Sequence, residues 1–206
     1  MKSDSRSIPS SDIQLHKELD LDNEAELAEQ LKRILRENES IMHDLQIVSG
    51  LRLPQCYIAA GYIRNMVWDH LHGYPYRATH DDIDVVYFDP EHLDEEKDRE
   101  IEHQLVSGTG NVKWSVKNQA RMHIRNGSLP YLSTEDALMR WPETVTSIGA
   151  RLDNLGQLEL CCPNGLSDLF RMQVRQSRYF EDKAYYLERI GRKAWRTLWP
   201  KLIVVE

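Results

Sequence analysis

At 206 residues the chain suits one globular domain, with enough length to bury a sizeable core. Its formal net charge of −7 argues against a broadly basic surface of the kind that grips duplex nucleic acid through its phosphates. No run approaches the roughly 20 apolar residues a membrane-spanning helix needs. The polar start MKSDSRSIPSSD offers no apolar stretch for a secretory signal, so no membrane contact and a cytoplasmic location are expected. Only three cysteines are present, Cys56, Cys161 and Cys162, two of them adjacent; they give no disulfide framework and read as buried thiols.

Residues 1–12 are Ser-rich and lack periodicity, which predicts a disordered arm ahead of a single domain over 13–206. Past Asn23, Leu27, Leu31, Ile34 and Leu35 recur at helical spacing, and Met42, Leu45 and Val48 continue the stripe to Gly50. This is one long helix or two short ones. A short strand over Cys56–Ala60 then runs through Gly61 into a helix from Tyr62 to about Leu71, stopped by Gly73 and Pro75.

Ile83-Asp84-Val85-Val86-Tyr87-Phe88 is rich in β-branched and aromatic residues, ends at Asp89-Pro90, and reads as a strand. The acidic stretch 91–106 reads as an exposed helix, and Val112–Val116 as a further strand. Ser133 and Asp136 resemble a capping box that opens a helix ended by Trp141-Pro142. Residues 146–161 read as a hairpin about Asp153-Asn154-Leu155-Gly156. The core thus spans about 50–165, followed by a helical tail over about 166–200 and a late strand at Leu202–Val205.

Charge is spread unevenly. Residues 81–102 carry eleven Asp or Glu against Lys97 and Arg99, whereas residues 171–201 carry nine Lys or Arg against Glu181, Asp182 and Glu188. The basic end suits either a polyanionic partner or a solvated helix face.

The sharpest chemical feature is Asp81-Asp82-Ile83-Asp84 at the mouth of an apolar strand. Strand side chains alternate, so Asp82 and Asp84 project together and Ile83 points away. Two carboxylates on one face suit magnesium, which takes oxygen ligands and is commonly held by one or two carboxylates together with substrate phosphates. Asp81 then caps or orients the turn. Some twenty residues upstream, Gly61 opens a helix whose N-terminus suits a phosphate, and Arg64 and Asn65 fall in its first turns, where a guanidinium can clamp phosphate oxygens. His70, His72 and His80 match no zinc spacing.

The segment Ala60-Gly61-Tyr62-Ile63-Arg64-Asn65 to Trp68, with His80-Asp81-Asp82-Ile83-Asp84-Val85-Val86-Tyr87-Phe88-Asp89, resembles the DNA polymerase beta-like nucleotidyltransferase superfamily. More closely, it is similar to a nucleotidyltransferase-like family of about this length. Trp114 to His123, Ser133 to Ala137 and Trp141 to Thr144 share that likeness, which covers roughly residues 50 to 200. The resemblance implies an α+β fold, a short mixed β-sheet flanked by helices, with helical additions at both ends.

It also implies a nucleoside triphosphate donor and a two-metal magnesium site. Asp82 and Asp84 would be the ligands; Gly61 and Tyr62, standing where the superfamily has a glycine pair, would hold the phosphates. Glu159, alone among apolar residues in Leu158-Glu159-Leu160-Cys161, is the candidate third carboxylate, and its other role is a solvent-facing hairpin residue. Lys117, Asn118 and Arg121 would line the nucleotide or acceptor cleft, or simply end a strand. The function expected is transfer of a nucleoside monophosphate to a hydroxyl. A small-molecule acceptor fits the acidic surface best, with RNA and protein acceptors also open. The alternative is a nucleotide-binding or interaction module of the same fold without turnover.

Overall fold

The computed structural model describes residues 19–75 and 82–205; the arm expected at 1–12 and the roles considered for His80 and Asp81 lie outside them. The apolar stripe past Asn23 is two helices, α1 (Glu24–Arg36) and α2 (Glu39–Gly50). The break falls at Asn38, whose side chain accepts from the Ile41 amide and starts α2, as Asn23 starts α1 through Glu26.

β1 (Tyr57–Ala59) leads into α3 (Gly61–His72), which ends at a left-handed Gly73. β2 (Ile83–Tyr87), α4 (Glu95–Thr109) and β3 (Trp114–Asn118) follow. β3 lies two residues later than the sequence pattern suggests, because the polar run Lys117-Asn118 continues the strand. Asn118 then caps α5 (Gln119–Asn126), a helix that the sequence pattern did not reveal. α6 (Thr134–Met139) begins at Ser133, whose hydroxyl accepts from the Asp136 amide. β4 (Gly149–Leu152) and β5 (Leu158–Cys161) form the expected hairpin.

These strands make one five-stranded mixed sheet in the order β3-β2-β1-β4-β5. β2 and β3 run parallel, joined through α4, and the other neighbours are antiparallel. The outer edge of β3 is covered by Glu102 of α4, which accepts from the Val116 amide at 2.8 Å and the Lys117 amine at 2.9 Å. In the tail, α7 (Ser167–Phe170), β6 (Gln173–Arg175), α8 (Lys183–Lys193), α9 (Trp195–Leu198) and β7 (Ile203–Val205) succeed one another. β6 and β7 pair in parallel as a separate ribbon. No described helix is long and apolar enough to cross a membrane.

The alternation of side chains divides the sheet cleanly. Ile58, Ile83, Val85, Tyr87, Trp114, Val116, Ala150 and Leu158 face the main core, together with Leu27, Leu31, Leu45 and Ile63 of the helices. Ala59, Val86 and Cys161 lie on the opposite face, where Leu138 of α6 and the rings of Tyr57 and Trp141 cover part of the sheet. Asp84 belongs to this second face.

Helix α3 is mostly buried, and the tail packs against its two buried charged residues, Arg64 and Asp69. The Arg64 side chain is 2% exposed, with its guanidinium 4.8 Å from the Trp68 ring centre and 4.2 Å from that of Trp195. Trp199 packs edge-on against Trp68 at 5.2 Å and donates to Asp69 at 2.8 Å. Arg64→Ala removes a flat cation from between two rings and leaves a void. It is expected to lower stability by about 3 kcal/mol, read as a lower urea midpoint; a change below about 0.5 kcal/mol, the usual range for a plain surface position, would contradict this packing role.

Candidate functional site

Asp82 stands just before β2 and is exposed, and Asp84 lies within β2, half-buried. The pairing of Ala59 with Asp84 carries the chain from β1 into α3 at the level where β2 begins, so Gly61 and the carboxylates occupy one end of the sheet. On the parallel side Ser115 pairs with Asp84 and shares its face. On the other, Ala59, Gly149 and Cys161 complete the row. The two residues nearest Asp84 across β1 and β4 are therefore small, and both are buried, Ala59 in the cluster with Leu138 of α6.

The turn into α3 is under backbone strain. Ala60 has φ 61° and ψ −131°, a conformation that glycine adopts far more readily, and α3 starts with no side-chain cap. α1, α2, α4, α5, α6 and α8 are each capped by an Asn, Asp or Ser side chain. The start of α3 is thus shaped by backbone alone, as a helix N-terminus that receives an anion must be.

Several residues expected at the site are engaged elsewhere. Glu159 is three strand spacings from β2, roughly 14 Å away, and its carboxylate is held by Arg151 at 2.6 Å. It shares the face of Asp84 but cannot share a metal ion with it. Arg64 does not reach a phosphate, since burial between Trp68 and Trp195 takes its guanidinium out of solvent. Asn65 is 1% exposed and accepts from Arg64 through Oδ1 at 2.7 Å. Tyr62 is buried and donates its hydroxyl to Asp44 at 2.6 Å. Burial raises the Asp44 carboxyl above its usual range, and the Tyr62 hydroxyl counters that rise.

Asn118 is structural as well. Its Oδ1 accepts from the amides of Asp89 and Ala120, and its Nδ2 donates to the carbonyls of Asp89 and His92, which uses the full capacity of an amide. Lys117 lies on the site face of β3 but pairs with Glu102. Arg121 binds the buried Asp98, to which Tyr87 also donates at 2.7 Å. The thiols of Cys56 and Cys161 are pushed up to about 12 by burial, so neither is a thiolate nucleophile at neutral pH.

Among the described residues, no group of three or more His, Cys, Asp or Glu side chains could hold a metal ion. The chemistry of two carboxylates close together at the start of β2, Asp82 and Asp84, fits magnesium, because that ion keeps several waters and takes further oxygens from phosphates. Ser115, Tyr57 and Arg151 also occupy this face and were missed in the sequence. The alternation in Trp114-Ser115-Val116-Lys117 marks Ser115 as outward-facing, but only the strand order puts it beside Asp84.

A mixed five-stranded sheet with a carboxylate pair beside a glycine-opened helix is the architecture of a nucleotidyltransferase fold. The chain belongs to a nucleotidyltransferase family, whose model it matches over residues 46–204. It is also similar to an NMR structure described as revealing a CCA-adding enzyme head domain. The two are 32% identical, the match covers 89% of this chain and 96% of that one, and the TM-score is 0.77. Two structures described as tRNA-processing enzymes, one a complex and one an apo form, are 22% and 19% identical. They match 75% and 84% of this chain and 41% and 43% of their own, each with a TM-score of 0.45. No curated protein matches the chain.

The strain at Ala60 is testable without any ligand. Ala60→Gly is expected to raise stability by about 1 kcal/mol, because glycine accepts this conformation and relief of strain exceeds the entropy it adds to the unfolded chain. A urea midpoint that falls instead would show that the backbone at residue 60 is relaxed.

Proposed function

We propose that the protein binds a nucleoside triphosphate with magnesium at Asp82 and Asp84 and transfers the nucleoside monophosphate to a hydroxyl acceptor. The observation that carries this is the shared end of the sheet, where the start of β2 with Asp82 and Asp84 meets the glycine-opened start of α3, which has no side-chain cap. Asp82 and Asp84 would hold the cation, Gly61 would let the phosphates approach the backbone, and the positive end of α3 would face their charge. Bound magnesium would neutralise phosphate charge and favour attack at the α-phosphorus. The acceptor oxygen bonds to that phosphorus, the bond to the α,β-bridging oxygen breaks, pyrophosphate leaves, and the hydroxyl proton passes to solvent.

Membership of a nucleotidyltransferase family supports the reaction class. The description of the 32% identical structure as a CCA-adding enzyme head domain favours a nucleic-acid hydroxyl over the cationic small molecule that an acidic surface would attract. A second reading, a nucleotide-binding module without turnover, is favoured by one observation. Glu159, the third carboxylate expected for two metals, is held by Arg151 on the far strand of the hairpin.

Thermal unfolding with each of the four nucleoside triphosphates, with and without magnesium, tests the donor site. A ligand at a hundred times its dissociation constant stabilises the folded state by about 2.7 kcal/mol. A magnesium-dependent rise in Tm is expected in the wild type and should be lost in both Asp82→Ala and Asp84→Ala. The absence of any shift in the wild type would refute donor binding. Pyrophosphate release in the presence of RNA then separates the enzyme from the binding module.

A further inference from the structure

The basic tail returns to the end of the sheet where β2 and α3 begin. Trp195 stacks on Arg64, one turn into α3; Trp199 donates to Asp69 at 2.8 Å, and the Lys201 amide donates to His72 at 3.2 Å. The tail therefore runs along α3 from its first turns towards its C-terminus, which brings the last turn of α8 in beside the start of that helix. A second anchor agrees. Residues 141–148 cross the same end of the sheet, since Trp141 packs with Ala59 and Cys161 on the second face, Val145 and Ile148 lie in the main core, and the Ile148 carbonyl accepts from the Ala60 amide. Glu143 within this crossing is 0% exposed and accepts from Arg189 Nε of α8 at 2.6 Å.

From Arg189 to Lys201 the chain carries five cations and no carboxylate. Arg189 is taken up by Glu143, and the Lys201 amine donates to the Leu71 carbonyl. Arg192 and Arg196 flank the corner where Ala194, at φ 46° and ψ 36°, turns α8 into α9. Both are exposed and neither has a hydrogen bond or ion pair with any described residue, Glu188 one turn before Arg192 included. Tyr185, Arg189 and Arg192 follow at intervals of four and three residues, so they line one face of α8. The Tyr185 ring is 41% exposed and rests against Phe180, with centroids 5.7 Å apart. Its neighbour Tyr186 is buried and donates to the Val174 and Val205 carbonyls, which ties the helix to the β6–β7 ribbon. An open ring and two unpaired guanidinium groups thus stand on a helix fixed along its length.

We propose that Tyr185, Arg192 and Arg196 form a docking track for single-stranded RNA, which holds the acceptor strand at the carboxylate end of the sheet. The inference rests on the proposed transfer to a nucleic-acid hydroxyl and adds where that acceptor is gripped. Guanidinium groups bind backbone phosphates, and an open ring stacks a base whatever its identity, the combination by which sequence-tolerant single-strand binders work. A duplex keeps its bases stacked inside and offers Tyr185 nothing, and a chain of net charge −7 repels so dense a polyanion except where cations are gathered. An acidic peptide would engage the arginines but leave the ring unused.

Fluorescence anisotropy with a labelled RNA single strand of about twelve nucleotides, in a salt series without any nucleoside triphosphate, tests this. The wild type should bind it more tightly than the same sequence as a duplex and more tightly than polyglutamate. Arg192→Gln and Arg196→Gln should each lower the slope of log Kd against log salt by about 0.7, the share of one phosphate on a single strand. Tyr185→Ala should weaken binding about tenfold with the slope kept, and Tyr185→Phe should restore it. Arg125→Gln, which removes an exposed cation from α5 beyond the other end of β3, should leave slope and affinity unchanged. All five variants should keep the wild-type urea midpoint. Absence of RNA binding in the wild type would overturn the proposal, as would equal slopes in Arg192→Gln, Arg196→Gln and Arg125→Gln, or equal affinity for the duplex or polyglutamate. The nucleotide-induced shifts in Tm keep the two readings apart: shifts without RNA binding remove only the track, and the expected RNA binding without shifts removes the donor site and leaves the track.

Discussion

The antiparallel pairing of β1 with β2 is the constraint on which the rest of the molecule depends. With Ala59 opposite Asp84, the two-residue period sends Ile83, Val85 and Tyr87 into the helical core and Asp84 to the opposite face. A slip of one residue would bury Asp84 and expose three large apolar side chains, so the core itself enforces the position of the carboxylate. The same register brings Gly61 to the end of the sheet where β2 starts, and it aligns Tyr57 with Val86 and, through β4, the row of Arg151 and Glu159. Packing on one face thus sets the geometry of the other.

Much of the polar chemistry that looks functional along the sequence is consumed by this packing. Arg64 follows a glycine at a helix start, where a phosphate clamp is an attractive expectation, yet it is also one turn before Trp68 on a mostly buried helix. A charge in that setting must be stacked or paired, and Trp195 supplies the second ring from the tail. Asn118 meets a similar fate, because the loop from β2 to α4 leaves backbone groups of Asp89 and His92 that only a side-chain amide can satisfy. The tail's cations are partly absorbed as well: Arg171, Arg175 and Arg189 pair with Asp22, Asp168 and Glu143.

The fold class and most elements were legible because each rests on local pattern: a 3.6-residue stripe for α1 and α2, a β-branched and aromatic run for β2, and turn residues for the hairpin. The same-face placement of Asp84 was legible for that reason too. What escaped depended on partners distant in sequence. β6 is three residues with one buried side chain and exists because β7 pairs with it thirty residues later. α5 is short and mostly polar, and its start is set by a cap that also serves another loop. Glu159 was misplaced because alternation gives its face correctly but says nothing about how many strands separate it from β2.

Paramagnetic relaxation measured by NMR, with manganese in place of magnesium and a non-hydrolysable nucleoside triphosphate bound, tests the central claim most directly. Manganese takes the same oxygen ligands as magnesium, so it reports where the cation is held. The amides of Gly61, Asp82, Ile83, Asp84 and Ser115 should broaden first, and those of Leu158 to Leu160, three strands away, should broaden least within the sheet. Broadening centred instead on the acidic surface of α4, or spread evenly over the chain, would contradict a triphosphate site built by Asp82, Asp84 and the start of α3.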